Sequence, residues 1–280
     1  MAGILYLVGT PIGNLGDFSP RAAEVLRSVD FVAAEDTRVT LKLLNHFDIK
    51  KPLVSYYEHN RASSGDKILS RILSGENCAL VTDAGMPAVS DPGEDLVRIC
   101  AENGVEIQAV PGPCSVVCAL ALSGLPTGRF TFEGFLSTAK KSRFEHLNEL
   151  CDEKRTMVFL EAPHKLNATL ADMLSVFGDR EITISREMTK LHEETLRFTL
   201  SEAVEYFKAT PPRGEFVLCV RGAAEQAHPQ MELGSALDVV MRYRDSGLSL
   251  KDAAKRASEE TGYSKKALYD ACIKGKQGQS

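Results

Sequence analysis

Three stretches of this 280-residue chain combine glycine, proline and polar side chains in runs that could hold a small polar ligand. The first, Gly9-Thr10-Pro11-Ile12-Gly13-Asn14-Leu15-Gly16, is glycine-rich but matches neither Gly-x-Gly-x-x-Gly nor a phosphate loop, since no Gly-Lys-Ser/Thr follows. A turn that needs glycine for its backbone explains it as well as a ligand does. The second runs from Asp83 to Gly93 with two prolines, two glycines and two aspartates, and no regular periodicity. It exceeds the ~2–6 residues usual between a strand and a helix, and loops of that length in compact domains tend to be functional. The third, Pro111-Gly112-Pro113, leads into Cys114-Ser115 at the start of an apolar helix, where free backbone N–H groups could take a carboxylate. Such loops supply few fixed cations, which suits a zwitterionic ligand better than a triphosphate.

Each of these loops follows a predicted strand, and open α/β sheets place ligands at strand carboxyl ends. Strand patterns at 4–8, 31–34, 53–56, 78–82 and 105–110 alternate with helical patterns near 20–28, 37–47, 63–74 and 92–103, the signature of βαβ units on a parallel sheet. Leu125-Pro126-Thr127-Gly128 interrupts both periodicities and reads as a linker. Beyond it, strands are expected at 130–135, 156–160, 181–185, 195–200 and 216–220, with helices near 142–150, 165–177 and 201–209. The interval between 185 and 195 is too short for a crossover helix, so part of this second sheet is expected to be antiparallel. From Leu233 the pattern is helical: Leu250, Ala253, Ala254 and Ala257 line one face, Gly262 punctuates, and Leu268 and Ala271 line a helix from Ser264. The expected fold class is therefore α/β, with two α/β domains over 1–124 and 129–222 framing a cleft. A helical, helix-turn-helix-like tail follows over 233–280.

Composition narrows the function. Charged residues are 25% and apolar ones 44%, which excludes intrinsic disorder. The net charge of -5 provides no global basic field for nucleic acid or anionic lipid. That charge is unevenly distributed, because residues 249–280 carry seven basic side chains (Lys251, Lys255, Arg256, Lys265, Lys266, Lys274, Lys276) against four acidic ones. Such a tail is either a solvated helical cap or a nucleic-acid contact. The longest apolar run, 114–122, is about half the ~20 residues that span a bilayer. Met1-Ala2-Gly3 lacks the basic flank of a targeting segment, so a cytoplasmic protein is expected. Seven cysteines without a Cys-x-x-Cys pair or nearby histidine argue for buried thiols rather than zinc, and Cys114 and Cys118 are expected to share a core-facing helix face.

Seven ordered motifs carry a resemblance: Gly-Thr-Pro-Ile-Gly-Asn-Leu after the first strand, Ala-Glu-Asp-Thr-Arg at 34–38, the whole of 83–93, Val-Pro-Gly-Pro-Cys-Ser at 110–115, Glu-Gly-Phe-Leu at 133–136, Phe-Leu-Glu-Ala-Pro-His-Lys at 159–165 and Arg-Glu-Met-Thr-Lys at 186–190. Spanning 4 to about 222 in order, they resemble the ribosomal small-subunit RNA methyltransferase I family, of the tetrapyrrole-methylase-like class of S-adenosylmethionine enzymes. The tail is similar to that family's C-terminal extension. Met86 departs from the pattern, standing where many members carry Thr, so no hydroxyl contact is implied there. The resemblance implies S-adenosylmethionine as cofactor, transfer of its methyl to the ribose 2′-oxygen of a cytidine in the decoding region of bacterial small-subunit rRNA, and a homodimer. It places cofactor contacts at Pro11, Asp83, Gly85, Met86 and Val89, at Cys114 and Ser115, and in the second domain at Leu160, Glu161, Ala162, Gly214, Glu215 and Phe216. No metal is implied. The alternatives are a precorrin-type methylase of the same class and a non-catalytic RNA-binding protein that keeps the fold.

A ribose hydroxyl is a very weak acid, so a general base or an oxyanion-stabilising cation would assist. The ionisable candidates are Asp36, Arg38, Glu187 and Lys190, with His59 beside Tyr56 and Tyr57, whose rings could stack on a base or simply edge the core. Asp36 could equally cap the helix at Thr37, and Arg38 could pair with it or with phosphate. Lys190 could form an exposed ion pair with Glu187 or Glu193. After His164, Lys165 could reach an RNA phosphate or be a plain surface lysine.

Overall fold

The structure, a computed structural model, describes residues 1–224 and 232–277. The Gln/His/Pro-containing stretch 225–231 and residues 278–280 lie outside the described residues, as do the side chains of Glu259, Lys274, Lys276 and Gln277.

Short aliphatic runs form a parallel sheet whose centre is buried on both faces. Its strands are β1 (Ile4–Val8), β2 (Phe31–Ala34), β3 (Leu53–Ser55), β4 (Cys78–Val81) and β5 (Glu106–Val110), in the order β3-β2-β4-β1-β5. Every pairing is parallel, as the alternating pattern predicts. Helices α1 (Pro20–Ser28) and α2 (Thr37–His46) cover one face, where Leu26 and Leu44 meet Val8, Ala34 and Val81. On the other face, α3 (Arg61–Leu73) and α4 (Gly93–Glu102) set Ile68, Ile72 and Leu96 against Leu5, Phe31 and Leu80. Strands β1 and β4 are neighbours whose following helices lie on opposite faces, so the switch point that opens a crevice falls between them.

Helix α5 (Ser115–Ser123) follows β5 and then leaves the first sheet. The second sheet contains β6 (Phe130–Phe135), β7 (Thr156–Glu161), β8 (Glu181–Arg186), β9 (Glu194–Thr199) and β10 (Phe216–Val220), ordered β6-β7-β10-β8-β9. Only β6 and β7 pair in parallel, and the β8–β9 hairpin is antiparallel as its short connection requires. Helices α6 (Lys140–Glu149), α7 (Pro163–Phe177) and α8 (Leu200–Ala209) bury one face around Phe159, Leu170 and Phe207. The other face receives Val116, Ala119 and Leu120 of α5 against Val158, Val217 and Cys219. Several helices begin about two residues before the sequence pattern does; in α7 this is because Pro163 takes the first helical turn, where its missing N–H costs nothing.

The cysteine expectation needs correction. Cys78, Cys100 and Cys219 are buried, but Cys114, Cys151 and Cys272 are only partly so and Cys118 is exposed. Helix α5 is apolar all round, so its periodicity does not indicate a packed face. Only one side meets the second sheet, leaving Val117, Cys118 and Leu122 outside.

Residues 1–223 form one compact unit and 224–280 another. In the latter, α9 (Leu233–Asp245), α10 (Leu250–Thr261) and α11 (Lys265–Gln277) enclose Ala236, Val240, Ala253, Ala254, Ala257 and Leu268. Ser249 caps α10, and Gly262 ends it with φ +75°. Among the described residues no helix is long and apolar enough to cross a membrane.

Candidate active site

A cleft of about 430 Å³ lies where the carboxyl edge of the first sheet faces the corresponding edge of the second, a size usual for small-molecule sites. The first two glycine-containing loops, which follow the neighbouring strands β1 and β4, are joined by backbone pairing. Thr10 N donates to Gly85 O at 2.9 Å and Gly85 N donates to Thr10 O at 3.2 Å. The first and third loops cross at closer range. A Cβ built on Gly112 would lie 2.7 Å from Gly9 Cα, and one on Gly9 would lie 2.6 Å from Gly112 Cα. Only glycine permits that approach, so at Gly9 a backbone requirement does account for the residue.

The long loop is held in an unfavourable conformation. Gly85, Ala88 and Ser90 all have positive φ, at +91°, +67° and +59°. For the two non-glycine residues this costs on the order of 1–3 kcal/mol each. The Asp91 carboxylate offsets the strain by accepting from Ala88 N at 3.0 Å and Gly93 N at 2.7 Å. Burial nevertheless pushes the Asp91 carboxyl above its ordinary range.

From the second sheet come Phe135 at the end of β6, Leu160 to Pro163 at the end of β7, Glu187 and Met188 after β8, and Glu215 to Val217 at the start of β10. Lys190 Nζ donates to Glu187 Oε1 at 2.9 Å and to Glu215 Oε2 at 3.3 Å, and its hydrogen bond holds the Glu187 carboxyl below the usual range. Glu193 instead accepts from Thr189 N at 2.9 Å, so the Lys190–Glu193 pair expected from proximity is replaced by Lys190–Glu215. Gly214, with φ +87°, leaves room for this cluster, since a Cβ there would lie 2.5 Å from Glu187 Cγ.

Among the described residues the lining contains five carboxylates (Glu35, Asp91, Glu161, Glu187, Glu215) and no lysine, arginine or histidine. Three of the five are paired with lysines: Glu187 and Glu215 with Lys190, and Glu161 with Lys165 Nζ at 2.9 Å. Asp91 is occupied by backbone N–H groups. Glu35 has no cationic partner among the described residues; it accepts from Thr82 Oγ1 at 2.7 Å. At the third loop, Cys114 precedes α5 without a side-chain cap, which leaves first-turn N–H groups available beside Ser115. The cleft therefore offers apolar walls, anion acceptors and one set of backbone donors. This is chemistry for a cationic or zwitterionic organic molecule and not for a polyphosphate.

Of the residues singled out from sequence, Met86, Val89, Ser115, Leu160, Glu161, Ala162, Glu215 and Phe216 line the cleft, as does Glu187. Gly85 is buried behind it, and Cys114 is the half-buried residue before Ser115. Glu161 is 2% exposed, with its carboxylate committed to Lys165, to Ala162 N and to Thr169 Oγ1 at 2.5 Å, so it presents backbone rather than charge. Pro11 and Asp83 line a neighbouring cavity of about 350 Å³ with Leu15, Val39, Lys42 and His46. Asp36 caps α2, accepting from Arg38 N at 2.8 Å, and pairs with the Arg38 guanidinium at 2.5 Å. The hydrogen bonds from Arg38 lower the Asp36 carboxyl to about 2. That pair lines a third cavity of about 470 Å³, with Glu35, Thr37, Ser55, Tyr57 and Asp83.

Lys165 is not free to reach a phosphate: besides Glu161 it donates to Leu136 O at 3.2 Å. Tyr56 belongs to the core at 1% exposure, whereas Tyr57 is 42% exposed, with His59 edge-on at 6.3 Å. Sequence reasoning missed Ile12, Glu35, Asp91, Phe135 and Met188 as lining residues. Glu35 stands beside Asp36 at a strand end, where successive side chains diverge, and no local signal singles it out.

Known proteins share the fold and much of the sequence. Residues 4–204 match the family described as Tetrapyrrole (Corrin/Porphyrin) Methylases, and residues 232–276 match the RsmI C-terminal HTH domain. Proteins named Ribosomal RNA small subunit methyltransferase I are similar along the chain. The one from Synechocystis sp. is 45% identical, covering 97% of this chain and 98% of its own length. The Bacillus subtilis protein is 43% identical over 96% of this chain and 94% of its own length. The one from Thermotoga maritima is 48% identical over 220 residues, which are 79% of this chain but 99% of that protein. Among solved structures, uroporphyrin-III-C-methyltransferase from Thermus thermophilus shares the fold with a TM-score of 0.55 at 19% identity, over 78% of this chain and 94% of its own. Diphthine synthase does so with a TM-score of 0.58 at 13% identity, over 78% and 90%.

Proposed function

This chain belongs to the ribosomal RNA small subunit methyltransferase I family of S-adenosylmethionine-dependent enzymes, and we propose that it methylates the ribose 2′-oxygen of a cytidine in the decoding region of small-subunit rRNA. The observation that carries the reading is the cation-free, carboxylate-lined cleft at the switch point of the first sheet. The lining fits S-adenosylmethionine, which has a sulfonium, an ammonium, a carboxylate and an aromatic base. Met86, Val89, Leu160 and Phe216 supply apolar surface, and the first turn of α5 at Cys114 and Ser115 supplies donors for the carboxylate. Glu35, Glu187 and Glu215 supply a field that favours cations. Pro11, Asp83, Gly85 and Gly214 shape the loops around them, and Glu161 and Ala162 contribute backbone. When bound, the cofactor supplies an electrophilic methyl group.

The protein's main contribution is position. Two reactants held in near-attack geometry account for roughly 7–11 kcal/mol of barrier, against about 3–5 kcal/mol for a general base worth ~10²–10⁴-fold. Glu187, kept ionised by Lys190, holds the second-sheet wall of the cleft. Asp36 fixes Arg38 beside the adjoining cavity, where its guanidinium can take an RNA phosphate. The likeness to uroporphyrin-III-C-methyltransferase is one of fold and implies no acceptor. The same proposal includes a homodimer acting in the cytoplasm on small-subunit rRNA or the assembled subunit, with Lys251, Lys255, Arg256, Lys265 and Lys266 of the tail as phosphate contacts. Calorimetry with S-adenosylmethionine should show micromolar or tighter binding. Mapping of ribose methylation in rRNA from cells lacking the protein should show one cytidine unmodified; absence of either result overturns the reading.

A further inference from the structure

The third cavity adjoins the cofactor cleft but draws on different strands. The cleft takes its first-sheet lining mainly from the loops after β1, β4 and β5, whereas this cavity takes Asp36 and Arg38 after β2, Ser55 and Tyr57 at and beyond the end of β3, and Asp83 after β4. Among the described residues, Glu35 is the one residue lining both. We propose that this cavity receives the acceptor nucleotide of the RNA strand, with the base stacked on Tyr57, the phosphate on Arg38 and the ribose 2′-hydroxyl donating to the Glu35 carboxylate where the two cavities meet. The assignment rests on the methyltransferase reading above and adds the place and the contacts of its acceptor.

Transfer between two bound molecules requires adjoining sites with a passage between them, and the groups at this passage match a ribonucleotide part by part. Tyr57 is 42% exposed, and its edge-on contact with His59 leaves a ring held at the cavity wall, as single-stranded RNA recognition uses aromatic faces. Arg38 is held by Asp36 through Nε and Nη2, while Nη1 has no partner among the described residues. A guanidinium fixed in this way has a donor left for phosphate. Glu35 is oriented by the Thr82 hydroxyl and has no lysine or arginine partner among the described residues, unlike the other glutamates of the cleft. A carboxylate in that position accepts from a 2′-hydroxyl, and a deoxyribose has none to offer. The rival is the cavity with Lys42 and His46. Among the described residues its lining has no tyrosine, phenylalanine or tryptophan, and the residue it shares with the cleft is Thr82, whose hydroxyl is already donated to Glu35.

The full chain tests this with two readouts. With small ribosomal subunits from cells lacking the protein, Tyr57→Ala should raise KM about tenfold or more, while Tyr57→Phe stays near wild type. Calorimetric affinity of Tyr57→Ala for S-adenosylhomocysteine should be unchanged. In direct binding, a synthetic oligonucleotide of the acceptor region should bind wild type more tightly with a ribo- than with a deoxyribo-cytidine at the acceptor position. Glu35→Ala should bind both equally, and Glu35→Gln, which keeps an acceptor oxygen, should retain part of the preference. A wild-type protein that binds cofactor and methylates RNA, combined with an unchanged KM in Tyr57→Ala or an undiminished ribose preference in Glu35→Ala, overturns the acceptor site alone. Absence of cofactor binding in wild type overturns the function on which it rests.

Discussion

Replacing Gly112 by alanine tests whether the crossing of the first and third loops sets the geometry of the cleft. The added Cβ would lie 2.7 Å from Gly9 Cα, and ordinary contact begins near 3.4 Å, so the loops must separate by about 0.7 Å. The obstructing atoms are backbone and cannot rotate away. Gly112 does not have positive φ, so the steric effect is uncomplicated by a strained conformation. Overpacking of this kind costs about 1–3 kcal/mol, which lowers Tm by a few degrees in a protein of this size. A misplacement near 1 Å costs on the order of 10²-fold in rate, so a shift of about 0.7 Å should reduce kcat/KM by about 10- to 100-fold. Methyl transfer to small ribosomal subunits and thermal unfolding measure the two effects. Gly128→Ala is the control, because Gly128 has open space around its Cβ position and no positive φ. Wild-type kcat/KM and Tm in Gly112→Ala, or an equal loss in Gly128→Ala, would refute the reasoning.

Lys190→Met should lower stability at pH 7 by about 1 kcal/mol, because the pair with Glu187 and Glu215 is partly screened by solvent. Glu187 is held below its ordinary value of 4.5, so its contribution is fully present above that pH and is lost as pH falls through the lowered value. Urea unfolding should therefore show the gap between variant and wild type closing in acid, and a gap independent of pH would contradict the pairing. A chain ending at residue 223, the last residue of the first compact unit, should keep its cofactor affinity. Its binding to small-subunit rRNA should depend less steeply on salt, the log–log slope falling by about 0.9 for each phosphate that the tail would otherwise neutralise; an unaltered slope would exclude the tail from RNA binding.

Much of the fold is legible because it is local. Alternating strand and helix patterns are enough to specify the first sheet as parallel, and the short gap before β9 is enough to specify an antiparallel hairpin. The site is less legible because its contacts are remote in sequence. Thr82, which orients Glu35, is 47 positions away, and nothing in the run 34–38 distinguishes Glu35 from the helix-capping Asp36. Lys165 looks like a surface lysine until the first turn of α7 brings its Nζ to 2.9 Å from Glu161 at the end of β7, whose burial no local pattern announces. Pro11 and Asp83 occupy the expected loops but line the neighbouring cavity, because a strand end has two sides and a motif does not state which one faces a ligand.

Helix α5 starts within five residues of the end of β5, yet its body is seated on the second sheet through Val116, Ala119 and Leu120. The donors at its first turn are therefore carried by one sheet while the loops opposite them are carried by the other. Any sliding of the sheets past each other moves Ser115 relative to Met86, and a ligand held by both acts as a pin through a joint. Occupancy of the cleft and alignment of the two sheets are thereby one mechanical variable, so hydrogen exchange slowed by cofactor should extend along α5 and to the far end of β10 at Cys219 and Val220, beyond the residues that line the cleft.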